Sequence, residues 1–128
     1  MYTLPQEIEV WYIIPAIRRE IAMCLSKDHN ASYDKIAYIL GVSKAAVSQY
    51  IKRKRASRIK LHEKAMEEIS RSCAFIARGK RTAVSEITRV LEVIRKKKLH
   101  CEICGEMIED KYHDCKKINY PFIDNLND

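Results

Sequence analysis

Apolar residues recur every three or four positions along most of this chain, which is the spacing of one face of an α-helix. The pattern is clearest over residues 6–26, 33–52, 61–78 and 83–98. Pro15 interrupts the first stretch. Because proline is tolerated in the first turn of a helix, we expect a short lead-in and then a helix that restarts near Pro15. The pattern therefore predicts an all-α protein.

The stretch 33–52 carries the most specific pattern. A first helix is expected to begin after Ser32, whose hydroxyl can accept a hydrogen bond from a free N–H group of the first turn. Ile36 and Leu40 lie four residues apart and share one face. The small side chain of Ala37, beside them, allows a second helix to cross closely.

A tight turn and a second short helix follow. Gly41 suits a left-handed turn, Val42 can fill the turn from inside, and Ser43 is a suitable N-cap. The side chains that helical spacing returns to the core are Val47, Tyr50 and Ile51. Those left on the outward face are Lys44, Ala45, Ser48, Gln49 and Lys52. An ordinary amphipathic helix pair can share any one of these features, but their combination favours a helix-turn-helix, whose second helix enters the DNA major groove.

The charge distribution supports a polyanionic partner. The chain of 128 residues has a formal net charge of +7. Between residues 44 and 62 there are seven basic residues and no acidic one. They are Lys44, Lys52, Arg53, Lys54, Arg55, Arg58 and Lys60. Because this run begins on the outward face of the second helix and continues past its end, we expect it to contact phosphates of bound double-stranded DNA.

Other classes of protein fit the sequence less well. Glu7 and Glu9 stand where a secretory signal would be basic, and no stretch has the length and apolarity of a membrane span. We therefore expect a cytoplasmic protein without a disulfide framework. The histidines are scattered and no glycine-rich phosphate loop or paired-carboxylate arrangement is present, so neither an enzyme nor a small-molecule substrate is expected.

The segment HCEICGEMIEDKYHDC, residues 100–115, has the spacing of a metal site. Two ligand sets are open. Cys101, Cys104, His113 and Cys115 would form a zinc knuckle, whereas Cys73, Cys101, Cys104 and Cys115 would suit zinc or an iron–sulfur cluster. Ordinary free cysteines are the remaining alternative. Cys24 lies on an apolar stripe and is expected to be a core residue.

Residues 7–55 resemble the N-terminal part of archaeal Cro/repressor-type (XRE-like) helix-turn-helix regulators, some of which have a cysteine-containing C-terminal region. The resemblance rests on IIPAIR at residues 13–18 and LGVSKAAVSQY at residues 40–50. It implies a lambda-repressor-like bundle, DNA binding and transcription control. It also implies that the recognition positions are Ser43, Lys44, Ala45, Ser48, Gln49 and Lys52. The tail from residue 119 has no counterpart in that family.

These features predict three segments. Residues 1–58 would be the DNA-binding domain, 59–99 a helical dimerisation region, and 100–128 a metal-binding segment and tail. A helix-turn-helix reads few base pairs, so we expect a homodimer whose interface is formed by the stripes of 61–78 and 83–98. The alternative is that these stripes complete a five-helix core of one chain. An RNA- or protein-binding adaptor with a structural zinc is the alternative function.

Overall fold

The structure is a computed structural model and describes residues 7, 9–52 and 60–97. This part of the chain contains a π-helical turn over Glu9–Ile13 and five α-helices, with no β-strand. The helices are α1 (Ile14–Lys27), α2 (Tyr33–Leu40), α3 (Lys44–Ile51), α4 (Glu63–Ala77) and α5 (Ala83–Lys96). Over these residues the all-α prediction is confirmed. None of the described helices is both long enough and apolar enough to span a membrane.

The helix ends expected at Ser32, Gly41 and Ser43 are present, and Thr82 and Gly79 mark two further ends. The hydroxyls of Ser32, Ser43 and Thr82 accept hydrogen bonds from the N–H groups three residues later, at 3.2, 3.0 and 3.1 Å. Gly41 and Gly79 follow α2 and α4 with φ of 68° and 70°, in the left-handed region. Pro15 lies in the first turn of α1, immediately after the π-helical turn, which confirms the expected restart.

Helix α1 is the centre of the molecule, because each of the other four helices packs against it. Its fully buried side chains include Ile17, Ile21 and Leu25. Buried residues from α2, α3, α4 and α5 join them in one cluster. Residues on both sides of the predicted boundary at 58/59 therefore contribute to the same core.

The stripes expected to form a dimer interface are instead largely buried within one chain. Their buried members are Leu61, Ala65, Ile69, Cys73, Ile76, Leu91 and Ile94. Helix α4 packs against α1, and α5 packs against both, so most of these side chains are removed from water without a second copy. The placement of the dimer surface was wrong, and the alternative of a five-helix core describes the structure.

Several stripe members lie on the surface. Val10 and Val84 are 59% and 76% exposed, and Ala77 is also exposed. On α5 the buried face runs through Ala83, Glu86, Val90, Leu91 and Ile94, so Val84 is rotated about 100° away from its start. The apolar spacing grouped Val84 with Leu91 and Ile94, because it did not anticipate that Glu86 lies on the buried face.

A buried polar network joins α4 to α5. Glu86 is 2% exposed and accepts hydrogen bonds from the Ser72 hydroxyl at 2.7 Å, from Arg89 Nε at 3.1 Å and from Arg81 at 3.3 Å. Arg89 also donates to Glu68 Oε1 at 2.6 Å. Burial by itself raises the pKa of Glu86, but the bonds from Ser72, Arg89 and Arg81 outweigh it, and the pKa is lowered. The charged form is thus the one that the fold stabilises.

Candidate nucleic-acid interface

The connection between α2 and α3 is fixed by backbone hydrogen bonds. The N–H groups of Gly41 and Val42 both donate to the carbonyl oxygen of Ala37, the latter at 3.1 Å. Val42 is half-buried against the core, as expected for a residue that fills the turn from inside. Ser43 then takes an extended conformation and caps α3. The two helices are therefore held at a defined angle by the three residues between them.

The inner face of α3 is well buried. Ala46, Val47 and Tyr50 are 3%, 0% and 2% exposed, and Ile51 packs against the same core. Ala37 of α2 is half-buried in the same cluster, which fits its expected role at the helix crossing. Because α3 contacts both α1 and α2, its rotation about its own axis is set by packing on two sides.

The outer face of α3 is open to solvent. Lys44, Ala45, Gln49 and Lys52 are exposed, and Ser48 is half-buried. Ser43 is exposed, although its hydroxyl is already engaged as the helix cap. The residues predicted for the recognition positions therefore share one accessible side of a short, rigidly held helix.

Helix α2 adds side chains beside this face that the sequence analysis did not single out. Lys44 Nζ lies 3.5 Å from Asp34, and both side chains are exposed. Tyr38, which is 88% exposed, follows Asp34 by four residues and lies on the same side of α2. Helical spacing could have identified it, since Asp34 and Tyr38 face away from Ile36 and Leu40.

The basic run is described only in part. Lys44, Lys52 and Lys60 are exposed to solvent. The other expected phosphate contacts lie outside the described residues: Arg53, Lys54, Arg55 and Arg58. Among the basic residues near Gly79, Arg81 has partners within the chain, since its guanidinium stacks over the Phe75 ring at 4.5 Å and bonds Glu86.

Of the predicted metal ligands, the structure describes Cys73; Cys101, Cys104, His113 and Cys115 lie outside the described residues. Cys73 is fully buried in α4 and adjoins two residues from elsewhere in the chain. One is Cys24 of α1, half-buried at the edge of the core where we expected a core residue, and the other is the exposed His29. The Cys24 and Cys73 sulfurs and a His29 ring nitrogen lie within 4.8 Å of one another.

Burial raises the pKa of both thiols. For Cys73 the hydrogen bond with Cys24 adds to this effect, whereas the same contact partly opposes it at Cys24. Cys24 Sγ also donates to Asp28 Oδ2 at 3.4 Å, which favours its protonated form. Sequence spacing could not pair Cys24 with Cys73, because only the packing of α1 on α4 brings them together.

Comparisons with models of known protein families, with curated proteins and with solved structures found no match to this chain.

Proposed function

We propose that this chain is a sequence-specific DNA-binding transcriptional regulator and that α2 and α3 act as a helix-turn-helix. One observation carries the proposal: α3 has a buried inner face formed by Ala46, Val47 and Tyr50, and an exposed polar outer face. A recognition helix needs both, since the first fixes its position and the second reads the groove.

The outer face offers suitable chemistry for a base-pair edge. The Gln49 amide has a donor and an acceptor, which match the N7 and N6 groups of adenine in the major groove. Ala45 is small enough for close approach and for contact with a thymine methyl group. Lys44 and Lys52 can each reach a guanine or a phosphate, and Lys60 extends the positive charge beyond α3.

A homodimer on a pseudo-palindromic operator remains part of the proposal. Two reading helices related by a two-fold axis would double the length of sequence recognised. Because most of the stripe residues of α4 and α5 are buried, the contact between copies would use other surfaces. Zinc or an iron–sulfur cluster bound by the C-terminal cysteines, with Cys73 or His113, stays a prediction from the sequence.

In vitro selection from a random duplex library tests the proposal. The full chain should enrich one motif with two related half-sites, and should bind it at least about 10³-fold more tightly than a scrambled duplex at physiological salt. Binding should fall steeply as salt is raised, because released counterions drive part of the affinity.

Two results would count against it. One is the absence of any enriched motif after repeated rounds of selection. The other is equal or tighter binding to an RNA of the same sequence, which would favour the adaptor alternative. Replacing the exposed Glu67 of α4 with Gln gives a control protein whose enriched motif should be unchanged, since this residue lies outside α2 and α3.

A further inference from the structure

Three potential metal ligands converge where the end of α1, the loop after it and the middle of α4 meet. They are Cys24 of α1, His29 of the loop and Cys73 of α4, and one ligand atom from each lies within 4.8 Å of the other two. Such separations are close to those between ligands that share one tetrahedral ion, since zinc binds sulfur at about 2.3 Å and imidazole nitrogen at about 2.0–2.1 Å.

The loop that carries His29 is folded back onto α1. Asp28 N–H donates to the Cys24 carbonyl oxygen at 2.8 Å, and Ala31 N–H donates to the Leu25 carbonyl oxygen at 2.9 Å. Asn30 between them takes a left-handed conformation with φ of 52°, which asparagine tolerates better than most residues. The backbone therefore holds His29 beside the two thiols without any contribution from an ion.

We propose that Cys24, His29 and Cys73 form a zinc site that joins α1, its following loop and α4. Two sulfurs and one imidazole nitrogen bind zinc in preference to magnesium or calcium, which favour oxygen ligands. On binding, the ion replaces the two thiol protons, which pass to solvent, so that the site is electrically neutral. Asp28, whose carboxylate oxygen lies 3.4 Å from Cys24 Sγ, is an oxygen donor beside the exposed side of the site.

This site is distinct from the one predicted near the C-terminus, although one of the two ligand sets expected there also includes Cys73. Within the described part of the chain, Cys73 has Cys24 and His29 as neighbouring ligands. The proposal does not rest on DNA binding. It concerns a cross-link within the bundle and can hold whether or not α3 reads a duplex.

The test uses the full chain with Cys101→Ser, Cys104→Ser and Cys115→Ser, in which Cys24 and Cys73 are the remaining cysteines. The protein is kept reduced and metal-free and is titrated with Co²⁺. We expect one equivalent to bind, with a thiolate-to-cobalt charge-transfer band and the intense visible bands of tetrahedral cobalt. Zinc should displace the cobalt and so remove both sets of bands. At a free zinc concentration about 100 times the Kd for zinc, Tm should rise by about 10 °C.

Variants in the same background identify the ligands. Cys24→Ser should weaken the thiolate charge-transfer band, and both Cys24→Ser and His29→Ala should remove the visible bands of tetrahedral cobalt. We expect His29→Ala to fold, because the His29 side chain is exposed. His62→Asn is the matched control: it removes a histidine about 16 Å along α4 from Cys73 and keeps a capping side chain. The proposal is overturned if the triple variant binds no cobalt. It is also overturned if the tetrahedral cobalt spectrum is unchanged in either Cys24→Ser or His29→Ala.

Discussion

At the scale of single residues, Gln49 is the side chain of α3 best suited to distinguish one base pair from another. We expect Gln49→Ala to relax the preference at one operator position, where discrimination of about 1–3 kcal/mol should be lost. Affinities for single-base variants of the selected duplex measure this directly. An equal loss of affinity for the specific and the scrambled duplex would contradict the assignment of Gln49 to base readout.

A control separates this effect from a general loss of helix packing. Thr88 is an exposed neutral residue of α5 whose hydroxyl bonds a carbonyl of its own helix, that of Val84, at 2.8 Å. Thr88→Ala should therefore leave both the affinity and the preferred sequence unchanged. If both variants lost base preference to a similar extent, the loss would come from reduced stability of the fold and not from a lost contact between Gln49 and a base.

Lys52 represents the sequence-independent part of binding. It is exposed at the C-terminal end of α3, where the basic run continues. We expect Lys52→Ala to reduce the slope of log affinity against log salt by about 1, because one phosphate contact and its released counterion are lost. The comparison is Lys80→Ala, an exposed lysine between α4 and α5. The same slope change in both proteins would mean that only net charge matters.

At the scale of elements, one left-handed glycine lies in each of two turns: Gly41 between α2 and α3, and Gly79 between α4 and α5. Comparing them separates the effect of the α2–α3 turn on DNA binding from its effect on stability. A Cβ at Gly41 or Gly79 would meet no atom within 4 Å, so alanine at either position is opposed by backbone conformation alone. We expect Gly41→Ala and Gly79→Ala each to cost about 1 kcal/mol in the free energy of unfolding. DNA affinity at a temperature where both are folded should fall for Gly41→Ala alone, since only that turn orients α3.

The Glu86 network is the corresponding element-scale feature of α4 and α5. Removing the carboxylate takes away the acceptor of the buried Ser72 hydroxyl and of Arg89 Nε, although Ser72 Oγ still accepts from Arg89 Nη2 at 2.7 Å. We expect Glu86→Ala to lower the free energy of unfolding by about 3 kcal/mol in urea titrations. Glu92→Ala, at an exposed position of the same helix, should change it by less than about 0.5 kcal/mol.

The same network predicts the direction of the pH dependence. Because the pKa of Glu86 is lower in the folded chain, its stabilising effect is complete above the unfolded value of about 4.3. That contribution is lost as the pH falls through the folded pKa. Glu86→Gln should therefore show a flatter decline of stability in acid than the parent, and an unchanged decline would exclude Glu86 as a contributor.

At the scale of the whole molecule, burial of the stripes leaves a different surface for a second copy. Trp11, which is 55% exposed and lies edge-on to Tyr12, is adjacent to the exposed Val10. An exposed tryptophan ring can leave water by packing against another molecule, so we predict that Trp11 contributes to a contact between copies. Trp11→Ala should weaken self-association in sedimentation equilibrium, whereas Val84→Ala, on an exposed part of α5, should not. An unchanged dimer in both variants would exclude Trp11.

Local features were predictable because the residues that determine them are close in sequence. A capping hydroxyl bonds an N–H three residues away, and a left-handed glycine ends its own helix, so Ser32, Ser43 and Gly41 could be assigned from the sequence. The division of α3 into inner and outer faces followed from helical spacing in the same way. These assignments cover most of the candidate interface.

Contacts between distant residues were not predictable, because they depend on which helix faces which. Glu86 can be buried because Ser72 and two arginines donate hydrogen bonds to its carboxylate, and Ser72 belongs to a different helix. The neighbouring sulfurs of Cys24 and Cys73 arise in the same manner from the packing of α1 on α4.

The sequence by itself thus determined the helices, their caps and the polar face that α3 turns to solvent, since all three depend on short-range geometry. The tertiary structure alone decided that α4 and α5 complete the core around α1 rather than offering their stripes to a second copy. It also decided that two thiols and a histidine meet at the end of α1. Both outcomes depend on burying apolar surface between elements, and no local spacing records which surfaces will be paired.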